Sequence, residues 1–567
     1  MASKPANRVS PFFPFVSRLR NYSMSMLSKD FGAGLTVAVV LIPQVMAYAI
    51  LAGLPPVHGL YAAFLGTAVA ALWGSSSQLS TGPVALVSFL VLTSLVPLAA
   101  PESPQYVFLA IALALLIGVI QLVMGIFHLG FIMNFISHSV IAGFTTAAAV
   151  IIASTQIPGL FGFSTKKQEI VILNFYEIFS SLPSTHYLTL AIGVGSVAFM
   201  IFCKRVISKA FPAGLIVMAI GIALGYFMQL ESQGVKLIGD INAGLSMPRI
   251  PQISAGQIIA LFPSALIIAI VGFLEAYAIS KSISSKTKQK TDVNQELIGQ
   301  GLGNIVSSFF RGYPIAGSFS RTAVNFNAGA VTEISSVFVS VFVLLTILYF
   351  TPMLYFLPRT VLSAIVIAAL VDLIEFSQFR ETFRLSGTDG IVISTTFLFA
   401  FISQPDYAIF IGILVSLILF LRKTIAAKVY ALVFYFDEER FRRIRDDNRI
   451  LDFADLLILR IDMSVFFANA YNIAEQIESM AEKKGADLKY ICINFSGVNY
   501  VDVSACEVFA ELFEELNEKG ISIYSMYRKA QVREIMDKYG LDKSIATLKD
   551  IKGFKRQFII QKNRNIA

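Results

Sequence analysis

The chain has 567 residues, of which 56% are hydrophobic and only 14% charged, and its mean hydropathy is +0.70. A soluble protein carries about 25% charged residues, so a deficit this large excludes an ordinary globular protein and a disordered one. Most of the chain is expected to face lipid. The net charge is +8, from 45 Lys and Arg against 37 Asp and Glu, without the basic, aromatic-interleaved block that nucleic acid needs. The three cysteines, Cys203, Cys492 and Cys506, are too dispersed for a disulfide framework or a metal set.

Residues 1–30 are polar and basic (Lys4, Arg8, Arg18, Arg20, Lys29). They read as a cytoplasmic N-terminal segment, because the apolar run that follows is too long for the core of a signal peptide. Between Asp30 and Lys166 the only charged side chain is Glu102. A helical crossing takes about 20 apolar residues, so that stretch holds several crossings. Along the chain the predicted crossings are 32–52, 58–74, 80–96, 106–128, 130–156, 187–203, 211–229, 257–280, 294–310, 318–330, 334–351, 354–374, 389–403 and 406–422. The third, ninth and tenth of these fourteen are short or polar.

With the N-terminus inside, loops after even-numbered crossings face the cytoplasm. The basic loops fall there: Lys204, Arg205 and Lys209; Lys281, Lys286, Lys288 and Lys290; Arg380 and Arg384. Lys166 and Lys167 are the exception. The expected place is the plasma (inner) membrane, with a transmembrane domain over 31–423, a cytoplasmic linker over 424–450 and a cytoplasmic domain over 451–567. In that last domain strands are predicted at 456–461, 490–495 and 521–524, and helices at 469–484, 504–517 and 530–539. The alternation argues for an α/β fold with a largely parallel sheet.

Three signals carry chemistry. Ala47-Tyr48-Ala49-Ile50 in the first crossing recurs as Ala276-Tyr277-Ala278-Ile279 in the eighth. First and eighth are equivalent if fourteen helices are two sevens, and an odd-numbered repeat must be inverted, which is a transporter architecture. The third and tenth crossings, also equivalent, begin Ser80-Thr81-Gly82-Pro83-Val84-Ala85 and Gly317-Ser318-Phe319-Ser320-Arg321-Thr322-Ala323. Both read as half-helices that start inside the membrane after extended backbone. Such backbone is tolerated at that depth when buried in protein or lining a cavity. Two helix N-termini aimed at one spot make an anion site, to which the hydroxyls of Thr81, Ser318 and Ser320 and the charge of Arg321 would add. The competing reading is a pair of kinked helices with Arg321 in a structural ion pair.

Glu275 lies six residues before Lys281, roughly 9 Å inside the helix end at ~1.5 Å per residue. A carboxylate there is costly and functional by default. It would carry a proton or help hold Na⁺; otherwise it is a structural partner of Arg321. Gln44, after Pro43, would donate to an anion or bridge helices, with Tyr48 one turn on. His58, His128 and His138 stand singly and read as structural. In the C-terminal domain, Asp502 or Ser504 would cap the helix after the Asn494–Ser504 turn, and phosphorylation of Ser504 is the regulatory alternative.

Together these residues resemble the SulP, or sulfate permease, family of inorganic anion transporters. The resemblance rests on Ala33-Gly34-Leu35-Thr36, Ile42-Pro43-Gln44, Ala47-Tyr48-Ala49, Ala52-Gly53-Leu54-Pro55-Pro56 and Gly59-Leu60-Tyr61, with Thr81-Gly82-Pro83 and Ser318-Phe319-Ser320-Arg321-Thr322-Ala323. The C-terminal domain is similar to the family's STAS domain at Ile461-Asp462, Phe466-Phe467-Ala468-Asn469-Ala470 and the Asn494–Ser504 turn. The resemblance implies an α-helical membrane protein of fourteen transmembrane helices in a 7+7 inverted repeat, with core and gate domains. It also implies a homodimer in membrane lipid working by an elevator movement. The resemblance places the anion between the third and tenth helices, approached by Gln44, Tyr48, Ser318 and Ser320; the two half-helix starts read above add Thr81, Gly82, Val84, Ala85, Phe319 and Arg321 to the expected site. Asn494 stands where phosphorylated STAS relatives begin the turn with Asp, which weakens a phosphoswitch.

The expected function is secondary active uptake of a small inorganic anion, sulfate first, by proton symport, with no enzyme activity and no cofactor or metal. Na⁺–bicarbonate symport, proton-coupled C4-dicarboxylate transport, and an exchanger, channel-like or motor role are the alternatives.

Overall fold

The structure is a computed structural model that describes residues 14–19, 22–165, 171–207, 211–239, 244–245, 247–371, 376–403, 405–426, 428–435, 440–443 and 454–560. Lys4, Arg8, Arg20, Lys166, Lys167 and Lys209, used above to orient the chain, lie outside the described residues. Two compact units are present, residues 1–416 and 417–567.

Each predicted crossing has its helix: α1 Met24–Leu51, α2 Val57–Ala63 continued by Leu65–Trp73, α3 Ala85–Leu95, α4 Pro104–Ile126, α5 His138–Phe161, α6 Tyr187–Val206 and α7 Ala213–Phe227. The second set is α8 Ala255–Thr287, α9 Val293–Phe309, α10 Phe319–Asn327, α11 Ile334–Leu345, α12 Arg359–Leu370, α13 Gly387–Ile402 and α14 Pro405–Ile425. Among the described residues seven spans are long and apolar enough to cross a membrane by length and composition alone, and α9 and α10 are not among them or among the shorter apolar helices. Those two are held by packing rather than by their own hydropathy.

The helix starts follow capping chemistry. Ser103 accepts from Tyr106 N ahead of Pro104 in α4, Asp292 opens α9, and Ser254 with Gln257 forms a reciprocal capping box on α8. Two ends move from their predicted places, one through a cap and one through a turn. The Ser23 side chain accepts from Met26 N, so α1 starts at Met24 rather than near 32. His128 adopts a left-handed φ of 57° and the chain runs as a 3-10 turn to Phe135, which delays α5 to His138.

Helices α2, α9 and α4 pack backbone to backbone through small residues, the usual device where lipid supplies no hydrophobic drive. A Cβ on Gly303 would sit 2.8 Å from Ala70 Cβ and 2.9 Å from Gly66 O, and one on Gly301 would sit 2.6 Å from Leu122 N. Buried carboxylates staple this unit. Asp30 accepts from Tyr22 Oη, Val331 N, Thr332 N and Thr332 Oγ1 at 2.6–3.0 Å.

In the second unit six strands lie in the order β4-β3-β5-β6-β7-β8, where β3 is Val429–Tyr435, β4 Arg440–Arg443, β5 Leu456–Ile461, β6 Tyr490–Asn494, β7 Ser522–Met526 and β8 Ala546–Leu548. Strands β5 to β8 are parallel, as expected. Strands β3 and β4 correct the sequence reading. They fall within the stretch expected as a linker, 424–450, yet β3 pairs antiparallel with β5. Its Val429, Leu432, Val433 and Phe434 are buried, so the segment is apolar on both faces rather than alternating. Helices Ala470–Lys484 (α15) and Val503–Glu518 (α16) bury Ile473, Ile477, Phe509, Phe513 and Leu516 in one core. Phe554 and Phe558 help fill a second with Phe434 and Cys492.

Candidate functional site

The site is built on four extended residues. Thr81–Gly82 (β1) pairs antiparallel with Ala316–Gly317 (β2), Thr81 opposite Gly317 and Gly82 opposite Ala316. One strand precedes α3 and the other precedes α10, so the half-helices expected from sequence both begin at this ribbon. Their N-caps are extended, Val84 at φ −133°, ψ 152° and Ser318 at φ −120°, ψ 123°. No side chain caps α3, which leaves its first-turn N–H groups to whatever lies before the helix. Ser318 N donates to Ser80 O at 2.9 Å, and Ser318 Oγ accepts from Arg321 N at 3.5 Å and lies 3.4 Å from Ser320 Oγ. Helix α8 closes against β2 because Gly317 is bare: a Cβ there would meet Ala276 Cα at 2.8 Å.

Arg321 is fully buried. Its Nη1 donates to Pro83 O at 2.9 Å, crossing from the α10 segment to the α3 segment. Its Nε and Nη2 have no protein partner. An unsatisfied buried N–H of a charged group costs more than the ~1–3 kcal/mol of a neutral one, so the guanidinium carries donor capacity that the protein itself does not use. Glu275 on α8 has one buried oxygen, Oε2, also without a partner. Glu275 and Arg321 lie within electrostatic range of each other and of Tyr48, and Tyr313 joins the group through Tyr48 and Arg321. No salt bridge joins Glu275 to Arg321, so the structural ion pair entertained above is not formed.

The other predicted site residues divide by exposure. Tyr48, Thr81, Val84, Ala85 and Ser318 are buried, Gln44 and Glu275 are half-buried, and Phe319 and Ser320 are exposed. Gln44 Oε1 is buried and unpartnered. The Thr81 Oγ1 accepts from Gln300 Nε2 at 2.8 Å, a bond that does not use its O–H.

Sequence reasoning missed several residues around the ribbon. Thr67 on α2 donates to Thr81 O at 2.9 Å. Tyr313, fully buried, pairs with Ser88 of α3 at 2.9 Å between hydroxyls. Glu296, Gln300 and Asn304 share one face of α9. The available signal was the polarity of the ninth crossing, where three amide or acid side chains recur at intervals of four. His58 reads as structural here too, its Nδ1 2.7 Å from Arg311 O. In the second unit Asp502, not Ser504, caps α16, accepting from Ala505 N at 2.8 Å and from Phe467 N at 2.9 Å. Ser504 is exposed in the first turn.

Comparison with known proteins places this geometry. The model of the sulfate permease family matches residues 27–396, and that of the STAS domain matches 447–553. Probable sulfate transporter 4.2 of Arabidopsis thaliana is 33% identical over 534 residues, 91% of this chain and 78% of its own. The chloroplastic sulfate transporter 4.1 of the same plant is 31% identical over 91% of this chain and 77% of its own. Murine Solute Carrier 26 family member A9, an anion transporter solved in the inward-facing state, superposes with a TM-score of 0.91 over 97% of this chain and 95% of that one, at 24% identity. The transmembrane domain of a cyanobacterial bicarbonate transporter, BicA, covers 70% of this chain and 98% of its own with a TM-score of 0.59, also at 24% identity. At that identity the structural likeness speaks for the fold: fourteen helices in a 7+7 inverted repeat with core and gate domains, followed by a STAS domain. The chain belongs to the sulfate permease family, whose members are multi-pass membrane transporters of anions and not enzymes.

Proposed function

We propose that the protein takes up a small inorganic anion, sulfate first, by proton symport with an elevator movement of the core. The observation that carries this reading is Arg321: a buried guanidinium with two unpartnered donor atoms, set where two half-helices begin. The names of the curated relatives, sulfate transporters, support the choice of anion. Gln44, Tyr48, Val84, Ala85, Ser318, Phe319 and Ser320 bound the anion, while Thr81 and Gly82 form its backbone floor. Glu275 carries the proton, supported by its unpartnered oxygen on the helix that packs against β2. A protonated carboxyl beside Arg321 admits a doubly charged anion without adding negative charge to the site.

In this reading the protein is a homodimer in the plasma (inner) membrane, with the N-terminus and STAS domain in the cytoplasm, as the basic loops suggest. The transport domain spans 31–423, and the STAS domain takes in β3 and β4 besides 451–567. Ser504, exposed at the start of α16, is where phosphorylation would act.

The test is uptake of labelled sulfate, bicarbonate and fumarate into proteoliposomes, with and without an inward H⁺ or Na⁺ gradient. Proton-driven sulfate uptake, with Glu275→Gln abolishing the response to the gradient, is the expected result. Na⁺-driven bicarbonate uptake would replace both anion and coupling ion. Uptake indifferent to every gradient and to Glu275→Gln would point to exchange or a channel.

A further inference from the structure

Strands β1 and β2 hold two residues each. A ribbon that short has too few rungs to set its own register, so its geometry must be imposed from outside. Helix α9 does this with three buried side chains, Glu296 (1% exposed), Gln300 (1%) and Asn304 (0%), spaced four apart and so on one helix face. Glu296 accepts from Ser75 N and Ser75 Oγ at 2.9 Å and from Ser76 N at 3.2 Å, fixing the loop that feeds β1. Gln300 Nε2 donates to Thr81 Oγ1 at 2.8 Å and to Glu296 Oε1 at 3.3 Å.

Asn304 holds the other strand. Its Oδ1 accepts from Ile315 N at 2.8 Å and its Nδ2 donates to Ile315 O at 3.1 Å. Ile315 is the residue before β2. Those two bonds are the exchange that a hydrogen-bonded pair makes in an antiparallel ladder, here performed by a side chain. The same Nδ2 donates to Gln121 Oε1 on α4 at 3.1 Å, and Gln121 Nε2 donates to Ala269 O on α8 at 3.0 Å. The Asn304 amide is therefore locked from behind, by a chain that reaches the helix bearing Glu275.

We infer that Asn304, with Gln300, is a positioning residue of the anion site. Its amide serves as a side-chain rung that sets β2, and through β2 the aim of the α10 N-terminus and Arg321 relative to β1 and α3. Neither side chain needs to touch the anion. The inference rests on the anion-transport reading above. Displacing a binding constellation by about 1 Å is enough to cost a large factor in function.

The experiment uses the full chain in proteoliposomes, with initial rates of labelled sulfate uptake and inhibition by sulfate, selenate, nitrate and chloride. Asn304→Leu keeps the size and removes every bond. It is expected to raise KM about tenfold or more, with the maximal rate changed far less, and to flatten the ranking of competing anions. Thr360→Val is the control for lost stability alone. It deletes a buried hydroxyl bonded at 3.3–3.4 Å to Thr189 O and Leu160 O, and is expected to lower the unfolding temperature while leaving KM and ranking as in the wild type.

If Asn304→Leu does not fold, Gln300→Leu, Thr81→Val and their double variant decide the matter. Both singles break the same bond, so the double is expected to raise KM no further than the worse single. Unchanged KM and anion ranking in Asn304→Leu, or effects of Gln300→Leu and Thr81→Val that add, would overturn the inference alone. A wild-type protein that takes up none of the tested anions would overturn the transport reading, and this inference with it.

Discussion

The two units differ in how far their buried polar side chains reach along the chain. Among the described residues the STAS unit buries the polar side chains Asn469, Asn494 and Ser525. Each serves the local chain: Asn469 closes the Ser464–Asn469 turn, Asn494 accepts from Ser496 N, and Ser525 reaches the neighbouring strand at Ala546 O. The membrane unit buries Asp30, Glu296, Gln300, Asn304, Arg321 and more, and their bonds join residues hundreds of positions apart. Buried polarity that satisfies its neighbours builds a fold. Polarity that leaves Arg321 Nε and Nη2 and Glu275 Oε2 without partners costs stability at each such atom, and that cost is what supports the ligand site proposed above.

That contrast is open to direct attack, and the largest effect is expected at Arg321. Arg321→Gln keeps a polar amide but shortens the side chain and removes the charge and the bond to Pro83. At about 1.5–3 kcal/mol per hydrogen bond to a charged group, uptake should fall roughly a hundredfold while the protein remains folded by thermal unfolding. Normal uptake would place the anion elsewhere. Next comes the packing that carries the site. Gly303→Leu forces a side chain in where a Cβ alone would lie 2.8 Å from Ala70 Cβ, and overpacking of this kind costs about 1–3 kcal/mol or more. A clear drop in unfolding temperature with lower yield is expected; an unchanged melting curve would mean the α2–α9 contact is loose. The smallest effect belongs to the STAS unit. Asp502→Ala removes the α16 cap at a cost of about 1 kcal/mol. Hydrogen exchange of the amides at 503–506 should quicken several-fold with uptake unaltered. A loss of transport from Asp502→Ala would erase the distinction between the units.

Most of the architecture was legible in the sequence because apolar length is a local property. Each of the fourteen crossings has a helix, and the half-helices were found by their equivalent places in two sevens. The STAS elements Leu456–Ile461 and Ala530–Tyr539 fall where predicted. What escaped was long-range pairing. Nothing around Asn304 announces that it will bond Ile315, because an amide in an apolar helix looks alike whether it faces a strand, a water or another helix. Thr81 is a second case: nothing near it in sequence announces that its Oγ1 will accept from Gln300, a residue 219 positions away. Strand β3 was passed over because the chain was divided by charge, and a strand buried on both faces lacks the alternation that marks one.

The β1–β2 ribbon also sets a condition on how the protein is made. Thr81 and its partner Gly317 are separated by more than two hundred residues of chain. At the ~5–20 residues per second of synthesis, roughly 10–50 s pass before the second strand leaves the ribosome. Throughout that interval α3, eleven residues long and too short to span a bilayer, waits beside an unpaired strand. The first seven helices therefore cannot finish folding in order of synthesis. Insertion must hold them in an unfinished state until the second seven arrive, and a ribosome stalled between residues 82 and 316 leaves a product that no later packing can complete.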